Sequence, residues 1–177
     1  MVVLLGDSLF EYTRYQMSDE MKSEIVIFLK TCVHSDGGYG GGPGHLGHLA
    51  TTYAAVLCLI SLNTEEAFAS IDRDLTYKFL LARHQPSGAY TMHLGGEEDI
   101  RAPYLALVTA SLLKIIDSKL THLVVEWIMS CQTFEGGFGV SLVRRLMEDT
   151  LSVVSHVSVY LTRQRCRSEY PTKVACS

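Results

Sequence analysis

Asp36-Gly37-Gly38-Tyr39, Ser87-Gly88-Ala89-Tyr90 and Glu135-Gly136-Gly137-Phe138 are one short phrase written three times. Each has an acidic or polar residue, a glycine, a small residue and an aromatic. The aromatics stand 51 and then 48 residues apart. A period of that length holds two helices and two connections and is not that of a strand repeat.

Helical patterning fits between the turns. Glu24 to Cys32 carries Ile25, Ile27, Phe28, Leu29 and Cys32, an apolar stripe leading into the first turn. From Thr52 to Leu62 nearly every residue is small or apolar, which predicts a helix buried on most sides. Thr64 is placed to cap a helix with Glu65, Glu66 and Ala67 in its first turn, running to about Arg83. Ala102 to Ile116 is again almost all apolar, whereas Thr121 to Cys131 mixes Glu126 with Val124, Val125, Trp127 and Ile128. Each repeat thus offers one uniformly apolar helix and one amphipathic helix. Two concentric layers produce that alternation, with the apolar helices inside. The expected fold class is all-α, an incomplete α/α toroid. An open solenoid of the TPR or HEAT kind is the alternative, with shorter repeats and no Gly-Gly-aromatic turns.

With 47% hydrophobic and 19% charged residues, the composition is that of a globular domain. A net charge of -4 supplies no basic field for a nucleic-acid backbone, so no nucleic-acid partner is expected. The longest charge-free apolar stretch, Leu49 to Thr64, is interrupted by Thr51, Thr52, Ser61 and Asn63 and falls short of the roughly 18 residues of a spanning helix. Asp7 and Glu11 follow the apolar Met1 to Leu5 with no basic region before it, unlike a secretory signal. A cytoplasmic protein is expected. The five cysteines, Cys32, Cys58, Cys131, Cys166 and Cys176, contain no C-x-x-C pair and argue against a disulfide framework.

The run Gly37 to Gly44 lacks the Lys-Ser/Thr of a phosphate-binding loop and the strand that precedes one, so it reads as a tight connection. His45, His48, His84 and His93 fall in no spacing that builds a zinc site of three protein ligands. In Gly95-Gly96-Glu97-Glu98-Asp99-Ile100-Arg101 the acids suit a helix N-terminus, and Arg101 either faces an anionic group or belongs to a solvated capping cluster.

Several stretches carry a resemblance to a known family: Gly37-Gly38-Tyr39-Gly40-Gly41-Gly42-Pro43-Gly44, His48-Leu49-Ala50-Thr51-Thr52-Tyr53-Ala54-Ala55-Val56, Thr64-Glu65-Glu66-Ala67, Met92-His93-Leu94-Gly95-Gly96-Glu97, Asp99-Ile100-Arg101, Tyr104 and Glu126-Trp127-Ile128. Over about residues 20 to 139 the sequence resembles the β subunits of protein farnesyltransferases, more than the geranylgeranyl type I subunits. Squalene-type cyclases share the toroid but expect Trp-ended turns. The resemblance implies inner helices lining an apolar funnel for an isoprenoid, and an α subunit wrapped around the β subunit. It also implies transfer of farnesyl from farnesyl diphosphate to the Cys of a C-terminal C-a-a-X motif, on a zinc-held thiolate. Arg101 and Tyr104 match positions lining the isoprenoid and peptide cavity. His48, Ala50 and Thr51 match positions near the last residue of the peptide, and the family pattern has Pro at the place of Thr51. The family's zinc ligands lie in repeats beyond the matching region, so zinc is expected of the family and its ligands are absent from this chain.

After Gly139 the family continues with a segment like Val-Pro-Gly-x-Glu-Ala-His-Gly-Gly-Tyr-Thr-Phe-Cys-Gly, whose His binds the diphosphate. Here the sequence instead runs Val140-Ser141-Leu142-Val143-Arg144-Arg145-Leu146-Met147-Glu148-Asp149-Thr150. If each codon takes the third base of one residue and the first two of the next, Met147 followed by Glu148 must give Gly. Ser141/Leu142 allows Pro, Leu142/Val143 Gly, Arg144/Arg145 Glu, Arg145/Leu146 Ala and Leu146/Met147 His. The expected organisation is therefore a partial prenyltransferase toroid over 1–139 and a divergent, out-of-frame tail over 140–177. Met1 to Leu5 reads as the end of an earlier inner helix, so the chain is expected to be a piece of a longer subunit, inactive alone. The alternatives are a non-catalytic truncated isoform and a geranylgeranyltransferase type I β subunit.

Overall fold

In the computed structural model, which describes residues 17–133 and 137–139, the three phrases fold alike. Val33 pairs with Tyr39, His84 with Tyr90 and Gln132 with Phe138 as isolated antiparallel bridges. Inside each bridge an amide donates across the turn: His34 to the Gly38 carbonyl at 2.8 Å, Gln85 to Ala89 at 2.9 Å and Thr133 to Gly137 at 2.7 Å. The residue after each aromatic then donates back to the end of the preceding helix, Gly40 to Cys32, Thr91 to Arg83 and Gly139 to Cys131. The polar residue that opens each phrase has a task in the first two. Asp36 Oδ1 accepts the Gly38 amide at 3.1 Å and Ser87 Oγ the Ala89 amide at 3.3 Å, the side-chain turn that these short residues favour. Glu135 and Gly136 of the third phrase lie outside the described residues.

Seven helices connect and flank these hairpins among the described residues: α1 Asp19–Thr31, α2 Leu49–Leu62, α3 Glu65–Ala69, α4 Arg73–Arg83, α5 Ala102–Leu112, α6 Ser118–Thr121 and α7 Val124–Ser130. There is no strand beyond the isolated bridges in this region, and the all-α reading holds. The chain divides into two compact units between Phe79 and Leu80, inside α4.

In the first unit α1 starts earlier than its apolar stripe predicts, because Ser18 Oγ caps it by accepting the Met21 amide at 3.3 Å. It buries Val26 and leaves Ile27 and Phe28 more than half exposed. Ser23 Oγ donates to Glu66 Oε2 at 2.6 Å, tying α1 to α3. α2 buries Leu49, Thr52, Ala55, Val56, Leu59 and Leu62, one face at helical spacing. Its opposite side is also apolar but stays half exposed at Tyr53, Leu57, Cys58 and Ile60, so the expected burial on most sides is corrected to burial on one. The segment expected as one helix from Thr64 to Arg83 is two. Thr64 Oγ1 caps α3 through the Ala67 amide at 3.2 Å, and Asp72 Oδ1 accepts the Leu75 amide at 2.8 Å and starts α4 afresh. A good capping residue in mid-segment offers the backbone an alternative to continuing the helix.

In the second unit α5 stops at Leu112, short of the expected Ile116, where Lys114 adopts a left-handed conformation at φ 56°. The mixed segment from Thr121 to Cys131 holds one helix, α7, and the short α6 precedes it. Asp117 caps α6 by accepting the Lys119 and Leu120 amides, and Leu123, left-handed at φ 55°, separates α6 from α7. Leu120, Val124, Trp127 and Ile128 are buried.

Two glycines explain why the phrase needs that residue. Gly37 has φ 95° and Gly88 φ 90°, values that L side chains rarely adopt. A Cβ on Gly37 would overlap the backbone carbonyl of Leu75 in α4, and one on Gly88 that of Leu123 at the head of α7. Each turn therefore rests backbone to backbone on the start of a following helix.

Candidate functional site

The five residues selected from sequence sit at the heads of the two uniformly apolar helices. His48, Ala50 and Thr51 come together at the start of α2, and Arg101 and Tyr104 at the start of α5. The heads are built to one register. The His48 amide donates to the Tyr39 carbonyl at 3.1 Å and the Asp99 amide to the Tyr90 carbonyl at 3.2 Å, in both cases nine residues after the hairpin aromatic. His48 and Asp99 each then accept the amide two residues on. His48 Nδ1 accepts the Ala50 amide at 3.1 Å, and Asp99 Oδ1 accepts the Arg101 amide at 2.8 Å. The first bond satisfies one of the amides that a helix start leaves without an internal partner, whereas the second orders Arg101, itself the N-cap of α5.

Thr51 departs from the Pro of the resembled pattern, and its hydroxyl is committed to the fold: Oγ1 donates to the Tyr39 carbonyl at 2.5 Å. Thr52, fully buried, accepts the Tyr39 amide at 2.9 Å and donates to the His48 carbonyl at 2.8 Å. These bonds fasten the first hairpin to the head of α2 and fix the attitude of His48 and Ala50.

At the second head the charge is compensated. Asp99 Oδ2 accepts from Arg101 Nη2 at 2.7 Å and from Nε at 3.2 Å, while Oδ1 accepts from Nε at 3.0 Å. The Asp99 carboxylate is largely buried and the Arg101 side chain is half exposed. The hydrogen bonds it donates to Asp99 push the Arg101 guanidinium above its already high ordinary value, against the smaller opposing effect of burial. Arg101 is thus oriented by its neighbour as well as charged.

Beyond each head runs a half-exposed apolar stripe. Tyr53 and Leu57 on α2 correspond, at the repeat period of 51, to Tyr104 and Val108 on α5. Sequence reasoning selected Tyr104 and missed Tyr53; it also named Asp99 only as a helix-start acid. The period that aligned Tyr39 with Tyr90 carried both signals. Burial holds the Cys58 thiol above its usual range, which disfavours the thiolate.

The family model described as the prenyltransferase alpha-alpha toroid domain matches residues 3–145. The chain belongs to this family. It is 46% identical over 138 residues to the protein farnesyltransferase subunit beta of Arabidopsis thaliana, covering 78% of this chain and 27% of that protein. Identity is 46% over 136 residues to the Pisum sativum subunit, covering 77% and 30%, and 40% over 133 residues to that of Saccharomyces cerevisiae, covering 74% and 31%. The chain therefore spans less than a third of the length of these curated relatives. The toroid family accounts for the repeated pair of an apolar and an amphipathic helix joined by glycine turns.

Among the described residues no three His, Cys, Asp or Glu side chains are grouped as metal ligands. Those residues do not fit a zinc site. No helix among them is long and apolar enough to cross a membrane.

Proposed function

We propose that this chain is part of the β subunit of a protein farnesyltransferase, contributing wall and helix-head contacts to the transfer of farnesyl from farnesyl diphosphate to C-a-a-X proteins. The observation that carries the reading is the half-exposed apolar stripe repeated on α2 and α5, Tyr53 with Leu57 and Tyr104 with Val108, in a chain 46% identical to plant subunits of that name. An apolar stripe left open beside a few placed polar groups suits a hydrocarbon ligand with a polar end. Arg101 and Tyr104 contact the isoprenoid and peptide, and His48, Ala50 and Thr51 lie near the peptide's last residue. The partners are an α subunit, farnesyl diphosphate and C-a-a-X proteins, in the cytoplasm.

The chain by itself carries no zinc and transfers no farnesyl group. The described residues lack a three-ligand cluster, and metal affinity falls steeply without one. Metal analysis of the purified chain and a farnesylation assay with an α subunit test this; one tightly held zinc per chain, or farnesylated product, refutes it.

Residues 140–177 are the family's continuation read out of frame. Supporting this, nine residues after Phe138 stands Met147, whose side chain offers nothing like the acceptors of His48 and Asp99, while the shifted reading of Leu146/Met147 allows His. Nucleotide sequence across codons 138 to 155 that does not spell the family segment in the shifted frame removes the idea.

A further inference from the structure

We infer that Asp99 is the positioning residue of Arg101: one carboxylate both takes the backbone amide of Arg101, the N-cap of α5, and holds the guanidinium fork in a single orientation. The inference deepens the reading of Arg101 as a substrate contact and rests on it for its functional meaning. Comparison of the two helix heads isolates the second task. His48 occupies the equivalent register position and takes the Ala50 amide with Nδ1 alone, so that bond requires only one acceptor. Asp99 supplies two oxygens. Oδ1 takes the Arg101 amide and Nε, and Oδ2 takes Nη2. The carboxylate has 11% of its side chain exposed against 50% for Arg101, so the anchor is buried and the group it orients faces outward.

The arrangement also sets the charge of the site. A half-exposed guanidinium beside an apolar stripe attracts any anion, whereas one paired side-on with a carboxylate is close to neutral as a unit. Its Nη1 edge keeps its donors in one direction. A neutral, directional donor can line an apolar cavity without the desolvation that an unpaired cation incurs there.

Asp99→Asn separates the two tasks, since its amide oxygen can still accept the Arg101 backbone amide, whereas Nη2 loses its acceptor and Nε keeps only a neutral one in place of a charge-assisted bond. In the full chain labelled with 15N-arginine, Arg101 Nε–H is assigned by its loss in Arg101→Lys. The expected result in Asp99→Asn is a protected Arg101 backbone amide with Nε–H exchange faster by about tenfold, the scale of one charge-assisted hydrogen bond. Unchanged Nε–H exchange, or loss of backbone and side-chain protection together, overturns the inference. Should Asp99→Asn not fold, the wild type decides: the Arg101 Nε order parameter is expected near the roughly 0.85 of rigid backbone, and a value under about 0.6 overturns it. Added farnesyl diphosphate then tests the underlying reading. If the fork is fixed yet its signal ignores the ligand, Arg101 is no substrate contact, while Asp99 keeps its positioning role.

Discussion

Replacing Gly88 by Ala measures how closely the second turn rests on the next helix. The change introduces two separable penalties. At φ 90° an L residue costs about 1–2 kcal/mol over glycine. The new Cβ also overlaps the Leu123 carbonyl, the group that accepts the Trp127 amide at 2.9 Å and starts α7. A backbone carbonyl cannot rotate aside as a flexible side chain can, and such overpacking costs about 1–3 kcal/mol. Loss of unfolded-state freedom returns about 0.4–1 kcal/mol. The net expectation is a destabilisation of roughly 2–4 kcal/mol, a large share of the ~5–15 kcal/mol of an ordinary domain. Gly95→Ala is the internal control, since Gly95 has φ 72° but nothing within 4 Å of its added Cβ. It carries only the conformational penalty, about 1 kcal/mol. Both positions belong to the second unit, so urea denaturation followed by far-UV circular dichroism compares like with like. Midpoints for the two variants that agree within error, with equal slopes, would refute the claim that the turn bears backbone to backbone on α7.

Three further outcomes follow from named contacts. Tyr90→Phe removes the hydroxyl that donates to the Leu120 carbonyl at 2.7 Å in a fully buried site and should cost about 1–2 kcal/mol in the same denaturation assay, with no loss of helical signal. Thr52→Val keeps the shape but strands the Tyr39 amide, while the His48 carbonyl keeps the Thr52 amide as donor; about 1–3 kcal/mol is expected, read as a lower thermal midpoint. Burial, the largest cause, lowers the His84 pKa below its ordinary 6.5, partly offset by its hydrogen bond to the His122 carbonyl. Unfolded chains then bind the proton more readily than folded ones, so stability is full above about pH 6.5 and is lost as pH falls through the lower folded value. His84→Gln, which installs the residue found at the equivalent place in the third hairpin, should flatten that acid limb; an unchanged profile rejects His84 as its source.

The sequence alone determined the repeat. The spacing of Tyr39, Tyr90 and Phe138 and the alternation of apolar and amphipathic helices are local patterns, and local patterns are written in residue order. It also contained, unread, the correspondence of His48 with Asp99 and of Tyr53 with Tyr104, because the period that aligns the turns aligns those residues too. Tertiary structure alone decided the rest. That Asp99 closes on the Arg101 fork depends on a helix head folding two residues into hydrogen-bond reach. That α2 buries one face and leaves Tyr53 and Leu57 half open could not be read from a segment apolar on every side, since such a segment has no period to point the buried face. Only packing chooses which face meets protein and which stays open.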